Sequence, residues 1–217
     1  MPAGAPAASS GAAASGRSSA VTATAVLAIH YQNENCHPDG KVKFDLAETA
    51  DWRRAAMAAA GRLLEGARRH GVPLVHVRLA FRADFREVMQ NAPIFRDMVA
   101  RNSWVEGSWG AEFLEGLGPL PGERVVTHHR NNAFYAAALE AYVTALGVRH
   151  LVIAGVSTAY AVESAVRHAV DLGYEVTVAA DACSTATRAQ HEASLRSLAL
   201  LAAIRSADEI VADFARG

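Results

Sequence analysis

From Thr22 onward the chain falls into short β-branched apolar runs separated by longer helical patterns, and that βαβ rhythm leaves few folds open. The first run, Ala25 to Ile29 (AVLAI), is continuously apolar rather than alternating, as expected of a central parallel strand covered on both faces. A helical pattern follows from about Leu46 to Arg69, with Leu63 and Leu64 among alanines and five arginines for the wet side, and Gly71 and Pro73 stop it. Further strands are predicted at Leu74 to Leu79, Arg124 to Thr127, His150 to Ala154 and Glu175 to Ala179, with a last short one at Glu209 to Ala212. Helices are predicted at about Ala133 to Leu146, Ala159 to Leu172 and Arg188 to Ile204. The sum is an α/β, three-layer sandwich: a mostly parallel sheet of five to six strands with helices on both faces, whose ligands bind outside the carboxyl ends of the strands. The stretch from Ala80 to Gly122 has no such rhythm and is rich in Phe and Trp, so it is expected to wall a pocket.

A length of 217 residues fits one domain, taken as residues 21–217, behind a tail of residues 1–20 that is mostly Ala, Gly and Ser and is expected to be disordered. Charge is nearly balanced, 21 Lys and Arg against 22 Asp and Glu, so no broad positive field exists to gather phosphates and no nucleic acid is expected as a partner. No apolar stretch approaches the roughly 18 residues of a membrane span, so no membrane partner is expected. Two cysteines, Cys36 and Cys183, cannot build a disulfide framework and lack zinc-ligand spacing, which fits a cytoplasmic protein. Lys41 and Lys43 are the only lysines. The excess of Arg over Lys, with abundant Ala, suggests a GC-rich genome and bacterial specialised metabolism.

Four segments fall at the carboxyl ends of the strands: HYQN at 30–33, THHRNNAF at 127–134, GVSTAYAVES at 155–164 and ADAC at 180–183. Taken with L-G-Y at 172–174, this set resembles the isochorismatase-like cysteine hydrolases from about Thr24 to Phe214. The landmarks are Gln32 and Asn33, Ala133 and Phe134, the Gly155-Val156-x-Thr158 turn, and Asp181 to Cys183. The resemblance implies an isochorismatase-like fold and a catalytic triad of Asp, Lys and Cys. At the matching positions this sequence has His30, His128 and Ala161, so the thiol route to a covalent intermediate is closed where the family uses it. It further implies a cis peptide between Val156 and Ser157, an oxyanion hole from the backbone amides of Tyr160 and Ala161, and homodimers or higher homo-oligomers. Ala136 to Ala138 and Ala141 would supply the packing face of a helix, and the 80–122 segment would close a neighbour's site.

Histidine titrates near pH 6.5, so His30 and His128 at strand ends are the candidate catalytic pair for proton transfer without a nucleophile. Cys36 borders the same region but needs an electropositive, fixed setting to react. Tyr31, Gln32, Arg82, Trp109, Asn132, Phe134 and Tyr160 are the candidate substrate-binding residues. Phe81, Phe85 and Trp104 are further wall candidates, and Arg78 and Arg130 further clamps for an anion. His129 points away from His128 if the strand persists, and His76 lies inside a strand, so no metal and no cofactor are expected. The sequence therefore predicts an acid–base enzyme acting on a small carboxylate or amide by non-covalent hydrolysis, elimination, isomerisation or cyclisation. The alternative is a catalytically inactive ligand- or protein-binding module of the same fold.

Overall fold

A computed structural model describes residues 23–42 and 46–216, and the expected N-terminal tail and Lys43 lie outside them. Six strands form one fully parallel sheet in the order β3-β2-β1-β4-β5-β6. They are β1 (Thr24–Ile29), β2 (Leu74–Leu79), β3 (Arg124–His128), β4 (His150–Gly155), β5 (Glu175–Ala179) and β6 (Ala203–Arg205). In the centre, Val26 lies between Leu74 of β2 and Val152 of β4, and Leu27 between Val75 and Ile153. All of β1 after Thr24 is buried, which is why its sequence is uniformly apolar.

The helices are α1 (Asn33–Cys36), α2 (Leu46–Arg69), α3 (Pro93–Ala100), α4 (Leu139–Ala145), α5 (Glu163–Asp171), α6 (Arg188–Leu198) and α7 (Ala207–Phe214). Helix α2 packs against α7, and α5 against α6; the right-handed rule for parallel crossovers sets these two pairs on opposite faces of the sheet. No helix among the described residues is long and apolar enough to cross a membrane.

The strand order reverses between β1 and β4, so the loops leaving these two strands diverge and open a crevice at their carboxyl ends. Both strand exits are conformationally unusual. His30 leaves β1 in the left-handed region, φ +56, a conformation rare outside Gly but enriched for His. Gly155 ends β4 against the backbone of Ile29, where an added Cβ would lie 2.3 Å from the Ile29 carbonyl oxygen. The Val156–Ser157 peptide that follows is cis.

Three sequence expectations are corrected. The segment predicted as a last strand at Glu209 to Ala212 is the middle of α7, and the edge strand is Ala203–Arg205, so α6 stops at Leu198. The signal was present: Ser206 and Glu209 form a reciprocal capping box, the S-x-x-E pattern of a helix start. The helix predicted from Ala133 begins only at Leu139, because Ala136 turns left-handed at φ +52. Ala136 to Ala138 therefore present no helix face for a second subunit. The 80–122 stretch contains α3, opened by Pro93 at its first turn, and folds over a small core of its own built from Phe81, Phe85, Phe95, Met98 and Trp104.

Gly155→Ala is expected to destabilise the fold by about 1–3 kcal/mol, the usual range for overpacking a rigid site, because the new methyl group meets backbone rather than a movable side chain. Urea unfolding checks this, and an unchanged midpoint contradicts the close approach.

Candidate active site

His30 follows the last residue of β1, and its amide donates to the Val77 carbonyl of β2, which fixes the start of the loop. His128 is the last residue of β3 and pairs in register with Leu79 of β2. The two strands are not neighbours, since β2 lies between them, yet their side chains meet across its end. The Nε2 atoms are 2.5 Å apart, the rings lie 18° from parallel, and the residues are 4% and 1% exposed. At that separation one Nε2 donates and the other accepts, so the pair holds one proton between the rings.

Burial pushes both imidazoles toward the neutral form. His30 titrates well below its usual range, first through loss of solvent and then through His128, with the Val156 carbonyl partly opposing. His128 is lowered to about 4, mainly by burial, with the Asn132 backbone opposing and His129 adding to the shift. Among the described residues, Nδ1 of His128 is buried without a well-formed hydrogen bond.

His30 faces a cavity of about 40 Å³ at the switch point between β1 and β4, with His128 behind it. Leu79, Ile94, Met98 and Val156 supply its apolar wall, and Asn35, Trp104, Arg130, Asn131, Ser157 and Tyr160 its polar one, with Ala161 at the base. Ile94, Met98 and Trp104 come from the 80–122 segment, which thus closes the cavity of its own chain. Arg130 and Asn131 also line an open cleft of about 480 Å³ with Asn132, Tyr135 and His168, so this cleft adjoins the cavity.

Among the predicted residues, His30, Tyr160 and Ala161 line the cavity, with His128 against His30. Six of the seven predicted binding residues do not. The carboxamide of Gln32 is wholly engaged, donating to the carbonyls of Leu79 and Ala111 and accepting the Leu79 amide, so it braces the β1 and β2 ends. Tyr31 is buried in the main core with its hydroxyl donating to the Ala182 carbonyl. Arg82 stands on the surface beside Asp84, and Trp109 is half exposed and edge-on to His37. Asn132 lines the outer cleft, where it bonds the His168 ring and caps the Phe134 amide, and Phe134 is buried with its ring stacked on His168. Phe81 and Phe85 belong to the satellite core, and Arg78 is tied to Thr127 and Glu106.

Of the two amides expected to serve an oxyanion, those of Tyr160 and Ala161, the first is redirected. The first turn after the cis peptide is a wide π turn, Thr158–Val162, in which the Tyr160 amide donates to the Ser157 carbonyl at 3.2 Å. Cys36 lies near His30, with Sγ 3.6 Å from its carbonyl oxygen, but burial pushes its thiol up to about 12, and Cys183 equally. Among the described residues no three His, Cys, Asp or Glu side chains are arranged to hold a metal. The sequence missed Asn35, Ile94, Met98, Asn131 and Ser157. Only Ile94 and Met98 had a signal, in the helix opened by Pro93.

A parallel six-stranded sheet with a cavity at its switch point defines an α/β ligand-binding or catalytic domain, and comparison with known proteins places it further. The family profile of the isochorismatase domain matches residues 24–209, and the chain belongs to the isochorismatase family. It is 31% identical over 156 residues to the uncharacterised isochorismatase family protein YecD of Escherichia coli O157:H7, covering 70% of this chain and 79% of that protein. It is 31% identical over 145 residues to the maleamate amidohydrolase of Pseudomonas putida, covering 65% of each. The crystal structure of an isochorismatase family protein from Desulfovibrio vulgaris superposes with a TM-score of 0.75 at 25% identity, over 88% of this chain and 99% of that one.

Two outcomes follow from the burial of these groups. Each depressed histidine makes the unfolded chain bind protons that the folded chain refuses below about pH 6.5, so stability is fully present above that pH and falls on acidification toward about pH 4. The free energy of urea unfolding measured between these limits should fall less steeply in His128→Gln than in the parent protein, and equal slopes would contradict the assignment. Iodoacetamide at pH 8 should label neither Cys36 nor Cys183 in the native state and both in denaturant, because a thiol at about 12 supplies almost no thiolate.

Proposed function

We propose that this protein is an isochorismatase-family enzyme that works by proton transfer through His30 and His128, without a covalent nucleophile, on a small carboxylate or amide. The observation that carries the reading is the 2.5 Å contact between two buried, neutral imidazoles, one of which faces the cavity. A neutral imidazole is a base at neutral pH, and a partner ring 2.5 Å behind it can take or return the proton. By its resemblance to the family, Ala161 stands where the cysteine would be, and an alanine cannot attack a carbonyl.

Amide hydrolysis, the activity named for the Pseudomonas putida relative, can be written on this pair. His30 takes a proton from water as the new C–O bond forms and the carbonyl becomes tetrahedral. The proton then passes to the departing nitrogen as the C–N bond breaks, and His128 holds the charge in between. Elimination, isomerisation and cyclisation need the same two operations, a proton removed and a proton delivered.

A second reading, a module that binds its ligand without turning it over, is favoured by one observation: the Tyr160 amide is committed to Ser157 rather than presented to a developing oxyanion.

Proton NMR and ammonia release on a panel of small carboxylates and amides, maleamate among them, test the proposal. Turnover is expected, and His30→Ala or His128→Ala should lower kcat by about 10²- to 10⁴-fold, the usual contribution of one general acid or base, while Cys36→Ala leaves it within about twofold. Unimpaired turnover in the double histidine variant, or an adduct trapped on Cys36, overturns the mechanism. Binding without turnover across the panel replaces it with the second reading.

A further inference from the structure

A cavity of about 40 Å³ admits roughly three water-sized positions, the size of one carboxamide or carboxylate head, so any larger ligand with its head beside His30 extends out of it. Arg130 and Asn131 line both this cavity and the open cleft of about 480 Å³, so the cleft is where such a ligand continues. Because α4 starts only at Leu139, residues 131–135 run as a loop, and the cleft lies between that loop and α5.

Asn132 and Phe134 pin the loop to His168 and thereby fix the state of its ring. Asn132 Oδ1 accepts the Phe134 amide at 3.0 Å, so Nδ2 is the end that donates to His168 Nδ1, also at 3.0 Å. With Nδ1 accepting, the ring proton sits on Nε2. That atom has no partner among the described residues and is not one of their buried unpaired atoms, so a residue of the cleft lining keeps an accessible donor. The Asn131 side chain, where cleft and cavity meet, is likewise unpartnered among the described residues and unburied.

The charges of the lining favour an anion at the same place. Arg167 is paired with Glu163, whereas Arg130 reaches no carboxylate among the described residues. Its guanidinium donates to the Met89 carbonyl and Asn91 Oδ1 and lies 3.8 Å over the Phe95 ring, so an unmatched positive charge is held in one pose where cavity and cleft meet. Asp171, the one carboxylate of the lining, is exposed at the end of α5, where solvent screens it. The inner end keeps a donor of its own. Asn35 is 5% exposed and lines the cavity, with Oδ1 3.9 Å from the Cys36 thiol and Nδ2 without a partner among the described residues.

We propose that the site takes a two-ended substrate, with a carboxamide or carboxylate head beside His30 and Asn35 and a second, carboxylate end in the outer cleft, where the Nε2–H of His168 and the charge of Arg130 receive it. The proposal rests on the reading of the cavity as the substrate site and names the class of molecule that fits it: a short chain with an amide or acid at one end and a carboxylate at the other. His168 then sets specificity and takes no part in the proton transfer.

The test uses the full-length ¹⁵N-labelled protein and amides with two to four methylene groups that differ only at the far end, which is a carboxylate (succinamate and its longer homologues), a methyl group or an ammonium group. His168→Phe, which keeps a ring against Phe134, assigns the His168 nitrogens, and the Ala161 amide reports the cavity. With at least one carboxylate amide both signals should move along one saturation curve. That ligand should bind about tenfold or more tightly than its methyl analogue, the size of one hydrogen bond to a charged group, and the ammonium analogue more weakly than either. In His168→Phe the advantage of the carboxylate should fall by about tenfold, with the methyl analogue bound as before. Equal binding of the three end groups overturns the proposal. So does movement of His168 while Ala161 stays still, which makes the cleft a separate anion site, or the failure of every carboxylate amide to bind at concentrations the fold tolerates. The comparison of end groups on the wild-type protein decides even if the variant does not fold.

Binding is read here without turnover, so the two proposals fail separately. A selected carboxylate end together with full activity in the double histidine variant keeps the two-ended site and removes the proton-transfer mechanism.

Discussion

Two buried imidazoles from strands that are not neighbours meet at 2.5 Å, and this contact constrains everything around it. It requires one ring to donate and the other to accept, because two Nε2–H groups would collide and two lone pairs would repel. Both rings stay near neutral because a charge on either would lack solvent, and charging both would set two like charges against each other. The lowered titration of both residues is the thermodynamic side of the same fact. Holding the rings there takes the strand order and the left-handed exit of His30. It also takes the close approach of Gly155 to Ile29, which a side chain would prevent.

Much of this was legible in sequence because it follows from periodicity and chain order. Uniformly apolar runs at Ala25 and His150, each followed by glycine-stopped helices, specify a parallel sheet, and a parallel sheet places its site at the carboxyl ends of the strands. The positions of His30 and His128 at two such ends were readable for that reason. Their contact was not, since it depends on how two side chains turn over the end of an intervening strand.

The binding residues were less legible, and Gln32 shows why. A polar side chain two residues past a central strand looks available to a ligand, yet its three hydrogen-bonding groups close on the backbone of Leu79 and Ala111, which are 47 and 79 residues away in sequence. Which polar groups remain unsatisfied is a property of the whole packed chain, so sequence singles out Gln32 and gives no reason to prefer His168. The missed capping box at Ser206 and Glu209 is a different kind of error. There the local signal was present, and the apolar residues around it were given a strand's period instead.

The same burial decides between two chemistries at this site. Removing water penalises whichever form of a group is charged. For Cys36 that form is the thiolate, the nucleophile itself, so burial pushes the thiol up to about 12 and disarms it beside His30. For an imidazole the charged form is the spent base, so burial keeps His30 and His128 unprotonated at neutral pH while it weakens them as bases. Burial of the thiol thus counts against thiolate attack by Cys36, and under the function proposed above it leaves proton transfer by the two imidazoles as the remaining route. The cost is that an imidazolium formed during turnover is itself poorly solvated. A second ring at hydrogen-bonding distance, able to share that proton, is the arrangement that lowers it.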